Sequence, residues 1–190
     1  VTAVRGVVLF PGAGSSASHA SLVSLEQALS PLPVLRVDFP YREAGKSFPD
    51  KTPVLVECVK NEVRAFAESL GVSTEALVIG GRSLGGRMCS MANADENDPL
   101  HVAGLVLMSY PLHPPKKPEK SRIEHLPRIA SPVLAISGTK DNFGTPDELR
   151  EAFTVVTTPV TWNFLENARH ELQRKDDEIG TIVRDWISNL

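Results

Sequence analysis

Cysteine is scarce in this chain: Cys58 and Cys89 are the only two in 190 residues. Two thiols cannot build a disulfide framework, and neither belongs to a C-x-x-C pair with zinc-binding or redox spacing. Both are expected as buried thiols packing like small apolar side chains, and neither a metal nor any other cofactor is expected. Positive charge is not in excess either, since the formal net charge is -3. General nucleic-acid affinity is thereby disfavoured, because phosphate binding leaves a basic footprint. No apolar run approaches the roughly 20 residues of a membrane span. The opening VTAVRGVVLF lacks the charged region, long apolar core and cleavage site of a secretory leader. These absences lead to the expectation of a cytoplasmic protein with no nucleic-acid or membrane partner. Linkers, internal repeats and low-complexity tracts are missing as well, so residues 1–190 are expected to form one domain burying about 70% of the unfolded chain's surface.

What is present is an alternation. Short apolar runs recur at Gly6 to Phe10, Val34 to Phe39, Leu77 to Gly80, Val102 to Ser109, Val133 to Ser137 and Thr161 to Leu165. Being continuous rather than alternating, they suit strands buried on both faces, as in a parallel sheet. Helical stripes lie between most of them. One runs through Leu55, Val59, Val63, Phe66 and Leu70, and the last through Ile179, Ile182, Val183, Trp186, Ile187 and Leu190. Strand and helix in this order predict a three-layer, doubly wound α/β domain, whose ligands bind at the carboxyl ends of the strands near the switch in strand order. Residues just after strands therefore carry the functional argument.

The first such loop is ambiguous. Gly12, Gly14 and Ala17 reproduce the G-x-G-x-x-A spacing of a dinucleotide-binding turn, and Asp38 stands where an acid would meet the ribose. The same small residues also suit an oxyanion loop. A dinucleotide turn runs directly from its glycines into a helix, whereas here the helical pattern starts near Ser21. The G-K-[ST] ending of a P-loop is absent too.

The third strand decides for nucleophilic chemistry. It runs into IGGRSLGGR, where Gly81, Ser83 and Gly85 form G-x-S-x-G between a strand and a helix-compatible stretch from Leu84 to Ala94. That is the context a nucleophile elbow requires. A serine on so sharp a turn is backbone-strained, and side chains two residues to either side are expected to collide across the turn. The helix starting at Leu84 points its amino end at the reaction centre.

A serine needs a base, and a fold of this kind supplies acid and then histidine after it. Of five histidines, His101 precedes its strand, His125 lies inside a long loop, and His19 and His113 come too early. His170 follows the last strand and fits. Asp141 follows the fifth strand, with Thr145, Pro146 and Glu148 forming a capping box directly behind it. Asp147 suits the first turn of that helix, and Glu166 is the alternative acid. With Ser83, Asp141 and His170 as the catalytic set, the N–H groups of Ala13 and Leu84 are the expected oxyanion donors. Gly12, Gly14, Ser15, Ser16 and His19 would line the pocket entrance. Arg82 and Arg87 flank the serine, either contacting a substrate carboxylate or bracing loops. The proline-rich basic segment HPPKKPEKSR, from His113 to Arg122, is either a solvated connection or a rim attracting anions.

These motifs resemble the α/β-hydrolase superfamily on its dienelactone-hydrolase-like side. More narrowly, the chain is similar to the predicted hydrolases related to testis-expressed protein thirty and to subunit three of the non-specific lethal chromatin complex. The likeness rests on FPY at Phe39 to Tyr41, GGRSLGGR at Gly80 to Arg87, SYPLHPP from Ser109, GTKDNFGTPDEL from Gly138 and the late His170. It implies six strands in the order 2-1-3-4-5-6, and Ser83, Asp141 and His170 as a triad. Where such hydrolases often place a histidine before the oxyanion glycine, this chain has Pro11. The connection between the fourth and fifth strands is too short for a helical cap. An open site for a small ester or thioester is expected, or one walled by a partner in a homodimer. The resemblance also admits a non-catalytic interaction scaffold on the same fold.

Overall fold

The computed structural model describes residues 3–190. Six parallel strands form its sheet: β1 (Gly6–Phe10), β2 (Val34–Arg36), β3 (Leu77–Arg82), β4 (Gly104–Met108), β5 (Val133–Gly138) and β6 (Val160–Leu165). Their order is β2-β1-β3-β4-β5-β6, so the chain reverses direction across the sheet between β1 and β3. The crossover segments carry α1 (Ala20–Leu29), α2 (Pro40–Glu43), α3 (Thr52–Leu70), α4 (Leu84–Asn93) and α5 (Pro146–Ala152), and α6 (Asp176–Ile187) follows the last strand.

The continuous apolar strands make two cores, one on each face. Val7 and Leu9 of β1, with Val78, Val106, Leu134 and Ile136, pack on Leu22, Leu25, Ile179 and Val183 of α1 and α6. The alternate residues Val8, Phe10, Ile79, Leu105, Leu107 and Ala135 pack on Leu55, Val59, Val63, Met88 and Leu149 of α3, α4 and α5. A strand buried on both faces has no polar face to show, which is why its sequence does not alternate. Trp186 belongs to this packing, lying against the first of these faces.

The departures from the sequence pattern sit at edges and ends. β2 stops at Arg36 rather than Phe39. The Val37 N–H still bonds the Leu9 carbonyl at 3.0 Å, but Pro40 then opens α2. α3 starts at Thr52 with Pro53 in its first turn and ends on Gly71, whose φ of 66° closes the helix without a side-chain penalty. Cys89 is buried as expected, whereas Cys58 is only half-buried at the margin of the core. Segment 109–132, between β4 and β5, contains two single-turn 3-10 helices and no cap over the strand ends. No helix among the described residues is long and apolar enough to cross a membrane.

Candidate active site

Ser83 joins β3 to α4 with φ 47° and ψ -110°. A non-glycine residue there is strained, and the surrounding bonds hold it in place. Its N–H donates to the Met108 carbonyl of β4 at 2.8 Å. A Cβ on Gly81 would stand 2.0 Å from the Phe10 carbonyl oxygen, and one on Gly85 2.2 Å from the same atom. The glycines are therefore needed because the elbow nests against the end of β1. This corrects the expectation of a collision across the turn itself.

The acid and histidine arrive from the loops after β5 and β6. Asp141, 2% exposed, accepts the Phe143 N–H at 2.8 Å and lies 3.4 Å from the Ser137 hydroxyl. The His170 loop is tied to the Asp141 loop by Lys140 N–H to the Ala168 carbonyl and Asn167 N–H to Thr139 Oγ1, each 2.9 Å. Gly138 permits that approach, since a Cβ there would meet the Ala168 oxygen at 2.2 Å. His170 Nδ1 lies 2.8 and 3.0 Å from the two Asp141 oxygens, and Nε2 lies 2.9 Å from Ser83 Oγ. An ionised carboxylate only accepts, so Nδ1 carries the ring proton and Nε2 accepts from the serine hydroxyl. Glu166, the alternative acid, is exposed and takes no part.

Two residues that sequence reasoning passed over hold the imidazole. The Phe143 ring stacks on it with centroids 4.0 Å apart and planes 27° from parallel. Ser109, itself at φ 52°, donates its hydroxyl to the His170 carbonyl at 2.7 Å. Neither carries a local sequence signal, because each role depends on a contact between distant loops.

The loop after β1 faces Ser83 across the switch point. Gly12, Ala13, Gly14, Ser15 and His19 line a cavity of about 520 Å³ together with Arg82, Ser83, Leu84, Arg87 and His170. The N–H groups of Ala13 and Leu84 take no intramolecular acceptor among the described residues. Tyr41 donates its hydroxyl to the Ala13 carbonyl at 2.9 Å, and Asp38 accepts the Ala17 N–H at 2.8 Å. Asp38 is thus a loop anchor rather than a ribose ligand, and these bonds fix the loop that Pro11 begins. Ser16 bonds Ser18 at 2.8 Å and does not reach the cavity lining, contrary to expectation. Arg82 braces loops. Its Nη1 lies 3.1 to 3.2 Å from the His19 ring nitrogens, and Nη2 donates to the Glu171 carbonyl at 2.8 Å. Burial and the Arg82 charge lower the pKa of His19. Of the basic segment, only its last residue, Arg122, lines the cavity, while Lys116, Lys117 and Lys120 are exposed away from it.

The fold recurs in solved structures of low sequence identity. The dienelactone hydrolase of Anabaena variabilis superposes with a TM-score of 0.73 at 17% identity, covering 98% of this chain and 87% of that one. The monoacylglycerol lipase of Paleococcus ferrophilus gives 0.73 at 18%, covering 98% and 95%. A lidless α/β serine hydrolase from Xanthomonas campestris gives 0.73 at 16%, covering 99% and 84%. A family model described as an alpha/beta hydrolase domain matches residues 4–187, and with the sheet order and elbow in place, the chain belongs to the α/β-hydrolase family.

Proposed function

We propose that this hydrolase cleaves a small ester or thioester through an acyl-enzyme intermediate. Ser83 Oγ attacks the carbonyl carbon as His170 Nε2 takes its proton. Asp141, on Nδ1, keeps the productive tautomer and stabilises the imidazolium. The Ala13 and Leu84 N–H groups receive the oxyanion, aided by the positive end of α4. His170 then protonates the departing alcohol or thiol. Next it accepts a proton from water as that water attacks the acyl carbonyl, and it returns the proton to Ser83 Oγ as the acyl–oxygen bond breaks and the acid product leaves.

The single observation that carries this reading is the unbroken chain of bonds from hydroxyl to imidazole to buried carboxylate, 2.9 and 2.8 Å long. The uncapped cavity supports small substrates, and similarity to a dienelactone hydrolase and a monoacylglycerol lipase supports acyl chemistry. The test is steady-state hydrolysis of p-nitrophenyl butyrate, with fluorophosphonate labelling alongside. The wild type turns over and labels; Ser83→Ala does neither. A folded wild type that does neither is instead a non-catalytic scaffold.

A further inference from the structure

The cavity beside Ser83 has three arginines in its wall, and their charges are not equally answered. Arg82 is engaged by His19 and the Glu171 carbonyl, and the Asp176 and Glu171 charges act on it. Arg87 and Arg122 make no ion pair among the described residues. Arg87 Nε is buried without a hydrogen-bond partner, and Arg122 spends Nη1 on the Pro111 carbonyl at 3.0 Å. Both backbones are pinned from beneath by buried side chains. Ser90 donates to the Arg87 carbonyl at 2.8 Å, and Tyr110 to the Arg122 carbonyl at 2.6 Å. Burial and the facing Arg87 charge lower the pKa of Arg122, as two neighbouring cations without an anion require.

Two guanidinium groups, fixed at their backbones and lacking a counter-charge, suit one planar two-oxygen anion. We propose that Arg87 and Arg122 form a subsite for a carboxylate borne by the substrate, making this an enzyme for anionic esters or thioesters. The proposal rests on the hydrolase reading above. Arg87 sits one helical turn beyond Ser83, so the subsite and the reacting carbonyl share one cavity. The carboxylate belongs either to the acyl part or to the leaving group, and matched substrates separate these sources.

The experiment compares mono-p-nitrophenyl adipate with p-nitrophenyl hexanoate, and 4-carboxyphenyl acetate with phenyl acetate. The wild type is expected to favour the anionic member of one pair by about tenfold to a hundredfold in kcat/KM. That ratio collapses in both Arg87→Gln and Arg122→Gln, two variants that guard against misfolding of either. Equal or lower kcat/KM for both anionic members, or a preference that survives both substitutions, overturns the subsite. Adipate binding by calorimetry supplies a readout without turnover, expected in the wild type and lost in the variants. If the wild type forms no fluorophosphonate adduct, the hydrolase reading fails separately, and adipate binding still decides whether the anion site exists.

Discussion

His170 is held by four different groups, and each restraint fixes a different degree of freedom. Asp141 sets the tautomer, Phe143 the plane of the ring, Ser109 the backbone, and Ser83 takes the free nitrogen. Asp141→Asn should leave the fold intact and lower kcat by about 10⁴-fold, because an amide also favours the wrong tautomer; kinetics with p-nitrophenyl butyrate check this. His125 is a buried imidazole, paired with Ser90 at 2.8 Å. Burial, with the charges of Arg87 and Arg128, lowers its pKa to about 4. The unfolded chain takes up that proton nearer its ordinary 6.5, so the unfolded state binds more protons between the two values. Stability from this residue is complete above the unfolded value and drains away as pH falls towards the folded one. Urea unfolding should therefore lose about 2 kcal/mol from about pH 7.5 to about pH 5, and His125→Gln should flatten much of that slope. The meeting of Ser83, Asp141 and His170 was legible because chain order in a doubly wound fold dictates which strand end each residue occupies. Phe143, Ser109 and Arg122 were not, since ring stacking, a buried serine bond and the last residue of a basic loop have no signature in spacing.

Among the elements, the elbow shows how a motif is read correctly for an incomplete reason. Gly81 and Gly85 were expected from the turn alone, yet the atom that forbids a side chain belongs to β1. Gly81→Ala and Gly85→Ala should each cost more than about 3 kcal/mol, since backbone rather than a flexible side chain must move. A Cβ on Gly14 meets nothing within 4 Å, so Gly14→Ala should change stability by under about 0.5 kcal/mol. Denaturant midpoints for the three variants separate the glycines that packing requires from the one it does not. The capping box was fully legible: Thr145 Oγ1 accepts the Glu148 N–H at 3.3 Å, and Glu148 Oε2 accepts the Thr145 N–H at 2.8 Å. Strand ends were less so, because β2 is an edge strand and the residues after it turn away, Asp38 and Tyr41 bonding the loop that follows β1.

For the whole molecule, the decisive feature is what does not cover the strand ends. Segment 109–132 closes one side of the cavity with Pro111 and Arg122 but builds no roof. A long acyl chain would have little apolar wall to bury against, so each added methylene gains less than the roughly 0.8 kcal/mol of full burial. Rates for p-nitrophenyl esters should accordingly fall from butyrate to laurate, with no jump when the substrate forms micelles. The doubly wound sheet followed from the alternation of elements, its strand order from the family resemblance, and the absence of a cap from loop length. The charge distribution within the cavity did not, because it depends on which arginines meet acids in the folded chain. The most direct measurement is peptide mapping of the fluorophosphonate adduct, with its rate of formation, in the wild type and His170→Ala. The account predicts one adduct, on Ser83, forming at least about a thousandfold more slowly without the imidazole. An adduct on another serine, or an unchanged rate in the variant, would contradict it.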